Sequence, residues 1–401
     1  MPLRVIALAL LTFAPAAALA QDVVINKNAA EAQANPTVRI AQFEGAKAHR
    51  DILKNAIHYS DWFTLSDEAL YQISAKFATE GGKHKMELVL RDNIGNGVKG
   101  FRQEIASSVP AKQLIFAAVD RLISEVFNNP GFCSSKLAYV KAHSGIKEIW
   151  VGDFYGAAPK RISFTENIAT EPAFSPDGRF LAYTRYSGFS TDIVLTDLGL
   201  QRARSLSHHK GLNSAVSFSN SGSHVALALS QDRNVEVYVK AVADGTLTRV
   251  TSDKSIDTSP VWSPDDKTLC FVSDRYAGKP TLYLSSARGG KAKRLLRTAE
   301  EAVSPSWSPV SNKICFSYRT GGKYTIAMID MNSAGRDPIV LVKATGDWES
   351  PSWAADGRHI VCSSNHSGKL ALYLVDSRYG RIIPLKNYQG DDTFPAYSGT
   401  Q

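Results

Sequence analysis

The stretch Glu171-Pro172-Ala173-Phe174-Ser175-Pro176-Asp177-Gly178-Arg179-Phe180-Leu181-Ala182-Tyr183 sets the architecture of this 401-residue chain, because its outline recurs. It returns at Ala215-Val216-Ser217-Phe218-Ser219-Asn220-Ser221-Gly222 and at Pro260-Val261-Trp262-Ser263-Pro264-Asp265-Asp266. Three later copies are Pro305-Ser306-Trp307-Ser308-Pro309, Pro351-Ser352-Trp353-Ala354-Ala355-Asp356-Gly357 and Pro395-Ala396-Tyr397-Ser398-Gly399. The anchors Ser175, Ser219, Ser263, Ser308, Ala354 and Ser398 lie about 44 residues apart, within the period of a four-stranded propeller blade.

Each copy reads as a β-hairpin. An aromatic residue and a small apolar one before Ser make a short buried strand. Pro presets φ for a turn, Asp bonds its own backbone two residues on, and Gly tolerates positive φ. A second strand follows, as in Phe180-Leu181-Ala182-Tyr183 and Leu269-Cys270-Phe271-Val272. A third often ends in Asp, as in Ile193-Val194-Leu195-Thr196-Asp197 and Leu372-Tyr373-Leu374-Val375-Asp376. A short fourth completes the period, as in Arg204-Ser205-Leu206. Four strands per period, repeated, predict an all-β six-bladed propeller.

The first repeat is split. Lys136-Leu137-Ala138-Tyr139-Val140 aligns with the second strands, but no Ser-Pro-Asp-Gly hairpin precedes it. The missing strand is at the other end of the chain, Phe394-Pro395-Ala396-Tyr397-Ser398. Pairing the two closes the ring and leaves no free sheet edge.

The start of the chain reads as an address. Met1-Pro2-Leu3-Arg4, an apolar run over residues 5–19 and the small residues Ala18-Leu19-Ala20 have the order of a secretory signal peptide. Nothing later reaches the ~20 apolar residues of a membrane span. The expectation is an exported, periplasmic protein that does not span the membrane. Its net charge of +8 is spread without a basic block, which disfavours a nucleic-acid partner.

Residues 21–35 read as a mobile arm whose one strand-forming run is Asp22-Val23-Val24-Ile25. Residues 36–130 mix strands and helices and predict a small α/β (α+β) domain ahead of the propeller at 131–401. Expected strands are Val38 to Phe43, Trp62-Phe63-Thr64-Leu65, a hairpin around Gly81-Gly82, and Phe101 to Ile105. Helices are expected from about Ala46 to Ile57 and after Pro110, the latter stopped by Asn128-Asn129-Pro130-Gly131. Gly95-Asn96-Gly97-Val98-Lys99-Gly100 matches the dinucleotide fingerprint, yet Phe101-Arg102-Gln103-Glu104-Ile105 alternates like a strand and Asn96-Gly97 is a hairpin signal.

Of four cysteines, Cys270 and Cys315 hold the repeat position of Ala182 and Ala226, and Cys362 is one position out of step. Cys270 and Cys315 read as small buried hydrophobes rather than disulfide partners, Cys362 faces the other side of its strand, and no C-x-x-C or metal-ligand spacing is present.

The repeat, the Lys136-Leu137-Ala138-Tyr139-Val140 entry and the Phe394-Pro395-Ala396-Tyr397-Ser398 ending, with the preceding α/β domain and leader, resemble the TolB family of the Tol-Pal system of Gram-negative envelopes. That resemblance implies a non-enzymatic adaptor without cofactor or metal. Its propeller would bind a Pal-type outer-membrane lipoprotein, and its N-terminal arm a TolA-type inner-membrane protein, supporting outer-membrane integrity and cell division. A monomer is expected. Asp22, Val23, Val24 and Ile25 fall in the TolA-contacting arm, and Ala215 and Thr258 fall in Pal-contacting loops. Leu212 stands where the family often has His.

Strand order adds a reading of charge. Loops entering the innermost strands carry Glu171, Asp257, Glu300, Glu301, Glu349, Asp391 and Asp392. Loops between second and third strands carry Arg185, Arg233, Arg275, Arg319 and His366. An acidic inner ring and a basic outer ring on one face are expected, and Asp257, Arg275 and Glu349 join the Pal-type candidates. His208-His209 read as solvated loop histidines, without ligand spacing. No G-x-S-x-G or H-E-x-x-H is present. The rival reading is an exported propeller enzyme or lectin-like protein acting on a peptide or carbohydrate at the central funnel.

Overall fold

A computed structural model describes residues 34–164, 168–333, 337–385 and 391–399. The expected leader and nearly all of the arm, with Asp22, Val23, Val24 and Ile25, lie outside these residues. Asn35, assigned to the arm, is buried and hydrogen-bonded, so the arm reading stops short of it.

Six four-stranded antiparallel sheets form the propeller. Blade 1 is built from both ends of the chain: Asp392–Tyr397 pairs with Lys136–His143, with Thr393 opposite Val140 and Tyr397 opposite Leu137. Its third and fourth strands are Ile146–Asp153 and Lys160–Arg161. Blades 2 to 6 begin with the innermost strands Ala169–Phe174, Asn213–Phe218, Asp257–Trp262, Ala302–Trp307 and Trp348–Trp353. The Ser-Pro-Asp-Gly turns lie at one end of the ring, here the motif end. The innermost strands start at the other, the entry end, where the second-to-third hairpins also turn.

Apolar clusters fill the gaps between blades, and each fully buried Leu, Ile or Phe there contributes about 1.5–3 kcal/mol. Indoles tie adjacent innermost strands: Trp262 Nε1 donates to the Ser217 carbonyl and Trp353 Nε1 to the Ser306 carbonyl, both at 3.1 Å. All four cysteines are free and buried. Cys315 and Cys362 share the cluster between blades 5 and 6, because a residue one position out of step faces back toward the preceding blade.

The N-terminal domain is a five-stranded sheet with two helices. Its elements are β1 (Thr37–Glu44), α1 (Lys47–Ser60), β2 (Thr64–Leu65), β3 (Tyr71–Glu80), β4 (Lys83–Asp92), β5 (Gly97–Ala106) and α2 (Ala111–Phe127), in sheet order β2-β1-β3-β4-β5. The strand expected over 62–65 is only β2. Trp62 and Phe63 instead leave the left-handed C-cap residue Asp61 as buried anchors. The Gly97 to Gly100 half of the fingerprint lies in β5, so a strand stands where nucleotide binding needs a helix N-terminus. Asn128 ends α2 in the left-handed conformation. Beyond it, Asp120 accepts the backbone N–H groups of Cys133 (2.6 Å) and Ser134 (2.8 Å). Gly131 is held so close that a Cβ there would lie 2.3 Å from the Asp120 carboxylate. Among the described residues no helix is long and apolar enough to cross a membrane.

The domain packs on the motif end at blades 6 and 1. Phe116 of α2 meets Phe154 edge-on, with ring centroids 5.3 Å apart. Trp62 Nε1 donates to Asp356 Oδ2 at 3.0 Å, and Asn129 Nδ2 to the Asp356 carbonyl at 3.1 Å.

Candidate functional site

Each innermost strand carries the same irregularity. Its third residue has left-handed backbone: Glu171, Ala215, Ser259, Ser304, Ser350 and Phe394, with φ between 47° and 55°. Pairing with the second strand slips at that point in all six blades. These are β-bulges, and each non-glycine residue so placed costs about 1–2 kcal/mol. Pro follows in five blades, where its missing N–H is tolerated because the ladder is already broken. The six residues line a central cavity of about 280 Å³.

Glu171 and Ala215 meet in this wall. Glu171 Oε2 accepts from Thr184 Oγ1 at 2.8 Å and from the Ala215 N–H at 3.0 Å. At the blade 5–6 junction the equivalent N–H, of Ser350, reaches Ser317 Oγ directly at 3.1 Å.

The remaining candidates sit around the entry end. Asp257 opens the innermost strand of blade 4, fully buried, and its Oδ2 accepts from Arg275 Nη2 at 2.6 Å. Burial pushes its carboxyl up despite the donors around it. Arg275 also bonds Ser273 Oγ at 2.8 Å and lies 4.9 Å from the Tyr283 ring centroid. Thr258 is half-buried beside them, opposite Val272. Glu349 is exposed on blade 6, and loss of solvent around its carboxyl, with Asp347 beyond, raises its pKa. Asp257, Thr258 and Arg275 therefore form one group, Ala215 lines the channel one blade away, and Glu349 stands apart.

The two expected charge rings are not independent. Arg275 pairs with Asp257, and Arg319 with Glu301 at 2.9 Å, so inner acid and outer base neutralise each other within a blade. Arg185 pairs with Asp192 at 2.9 Å. Sequence reasoning missed a further set, Glu148, Asp192 and Glu236, near the starts of the third strands of blades 1 to 3. Each is buried, and Glu148 and Glu236 hold Arg161 (2.9 Å) and Arg249 (3.0 Å). An acid at one repeat position in three successive blades was the available signal. His208 is largely exposed but not merely solvated: its Nδ1 bonds Asp192.

At the motif end Asp61, His359 and Asp376 bring possible ligand atoms within 4.8 Å of one another. Arg358 and Arg381 both bond Asp376, and Arg381 also bonds Asp61. A cation there would face two guanidinium groups. The cluster is a closed ionic network that joins the domains.

Residues 124–401 match the family model described as the TolB beta propeller domain. The chain belongs to the TolB β-propeller family. A TolB homolog of Chlorobium luteolum is 28% identical over 239 residues, 57% of this chain and 53% of that relative. A Tol-Pal system protein TolB of Francisella tularensis is 31% identical over 167 residues, 39% of this chain and 38% of its own length. The matched part thus spans about half of these curated relatives or less. The fold is that of the crystal structure of TolB from Acinetobacter baumannii, with a TM-score of 0.81, 23% identity and coverage of 91% of this chain and 97% of the other.

Proposed function

We propose that the chain is a non-enzymatic periplasmic adaptor of the Tol-Pal system. In this reading residues 1–20 are the leader, 21–34 the arm, 35–130 the α/β domain and 131–401 the propeller. The entry end takes a Pal-type outer-membrane lipoprotein through Ala215, Asp257, Thr258, Arg275 and Glu349. The arm, through Asp22, Val23, Val24 and Ile25, takes a TolA-type inner-membrane protein, and the link supports outer-membrane integrity and cell division.

The observation that carries the reading is a division of labour between the two ends of the ring. The α/β domain is clamped to the motif end through Trp62, Asn129 and Phe116. The channel mouth that collects the candidate residues is at the opposite end. Family membership supports the partner type. The pairing of Asp257 with Arg275 and of Glu301 with Arg319 favours binding over hydrolysis, because these carboxylates are committed to ion pairs.

The test is titration of the exported chain with a TolA-type C-terminal domain and with a Pal-type lipoprotein. Val24→Pro removes an N–H from a strand-forming arm and should abolish TolA-type binding while leaving Pal-type binding unchanged. Equal TolA-type affinity for both chains would refute the arm assignment.

A further inference from the structure

Two features of the entry end lie outside the candidate partner residues. One is a set of free cations at the outer rim. Arg233, Lys279, Lys323 and Lys369 occupy the second-to-third hairpins of four successive blades, 3 to 6, and all are exposed. None forms a salt bridge among the described residues, although Lys279 lies near enough to Glu301 to favour its ionised form. The repeat places three of them alike: Gly278-Lys279, Gly322-Lys323 and Gly368-Lys369 each put the lysine directly after a left-handed turn glycine, at the start of a third strand or just before it. The ring thus aims its cations in one direction.

The second feature is apolar. Phe189, at the tip of the blade 2 hairpin, is wholly exposed, and Tyr186 of the same hairpin is 40% exposed. Ile256, in the loop entering blade 4, is 50% exposed. These side chains lie on the same end as the cations.

We infer that the entry end docks on an anionic phospholipid surface, with the rim cations against the headgroups and Phe189 and its neighbours in the interfacial layer. Lysine and arginine beside single exposed aromatic residues is the composition of an interfacial anchor. Some of the rim acids are neutralised, Asp232 and Asp253 lying against Arg249 and Arg275 and Glu301 against Arg319, while the exposed Glu300, Glu349 and Asp391 act against docking. Cations distributed over four blades fit an extended anionic plane better than a compact acidic protein, whose contact would be concentrated. A lipid surface and a protein seated over the channel mouth would occupy the same end of the ring in turn, not together.

Co-sedimentation of the full chain with protein-free vesicles tests it. The expected result is partition onto vesicles of phosphatidylcholine mixed with phosphatidylglycerol, weakened by added salt, and none onto phosphatidylcholine alone. The triple variant Lys279→Glu, Lys323→Glu, Lys369→Glu should lower partition about tenfold or more. Phe189→Ser should lower it severalfold at unchanged charge, and Lys267→Glu, at the motif end, should leave it unchanged. No partition, equal partition onto neutral vesicles, or a folded triple variant that binds as well as the unaltered chain would overturn the inference. Should the triple variant misfold, the headgroup and salt dependence of the unaltered chain decides alone.

Discussion

Trp62 and Asp356 are 294 residues apart in sequence, and the indole Nε1 of the first donates to the carboxylate of the second across 3.0 Å. The Arg358 guanidinium lies 4.5 Å from the Trp62 ring centroid. One side chain of the α/β domain thus engages both charges of a blade 6 turn. Trp62→Phe keeps a ring over Arg358 but removes the donor, which should cost about 1–3 kcal/mol. Trp62→Ala should cost about 3–5 kcal/mol. Urea denaturation checks both, and a Trp62→Phe chain as stable as the original would show that the indole N–H is not a clamp.

His359, fully buried below this contact, donates from Nδ1 to Asp356 Oδ2 at 2.6 Å, and its Nε2 lies 3.5 Å from Asp61 Oδ2. Burial works against its charged form, but the charge and hydrogen bond of Asp356 together with Asp61 outweigh burial and raise the ring to about 9. A raised histidine pKa contributes stability that is full below the unfolded value near 6.5 and is lost as pH rises through about 9. The unaltered chain should therefore lose on the order of 2–3 kcal/mol between pH 6.5 and pH 9.5, and His359→Gln should lack this loss. Denaturation midpoints across that range give the answer, and parallel curves would contradict it.

Asp392 begins the strand that closes the ring. Burial, with Asp391 beside it, raises its carboxyl to about 7, and its Oδ1 has no hydrogen-bond partner among the described residues. A carboxyl held above its unfolded pKa, like the raised histidine, makes the chain less stable as pH rises. The penalty is absent below pH 4, grows through the interval up to 7 and is complete above it. Asp392→Asn should stabilise the chain at pH 8 by on the order of 2–4 kcal/mol and by little at pH 4. A variant less stable than the original at pH 8 would contradict this.

Removing residues 394–401 deletes most of the strand opposite Leu137 to Lys141. It leaves blade 1 without its innermost strand and exposes an edge. The expected outcome is a broad, weakly cooperative melt in place of a single transition. A sharp transition at the original temperature would mean that the ring does not depend on its last strand.

The blades were legible because every period repeats the same turn chemistry, and the closure because one period lacks a strand that the chain end supplies. The bulges were announced too, by Pro172, Pro260, Pro305, Pro351 and Pro395 in the middle of innermost strands, where Pro is tolerated only at an edge or a bulge. The domain clamp was half legible. Arg358 and Asp376 repeat the pair Arg179 and Asp197, which bonds at 2.9 Å in blade 2 with an arginine 58% exposed. In blade 6 the same pair is buried, with Arg358 7% exposed. What changes its role is the arrival of Asn35, Asp61 and Trp62 from a distant part of the chain, and no local pattern encodes that. The charge rings were mispictured for a related reason: the loop assignments hold, but sequence does not show that Arg275 turns inward onto Asp257.

The proposed adaptor role turns on whether the entry end binds a Pal-type lipoprotein. Calorimetric titration of that partner into the unaltered chain, Glu349→Arg and Lys267→Glu tests it most directly. Both altered residues are exposed, one at each end of the ring. The expected result is saturable binding to the unaltered chain, unchanged for Lys267→Glu and weakened about tenfold or more for Glu349→Arg. Equal affinities for all three chains, or loss confined to Lys267→Glu, would contradict it.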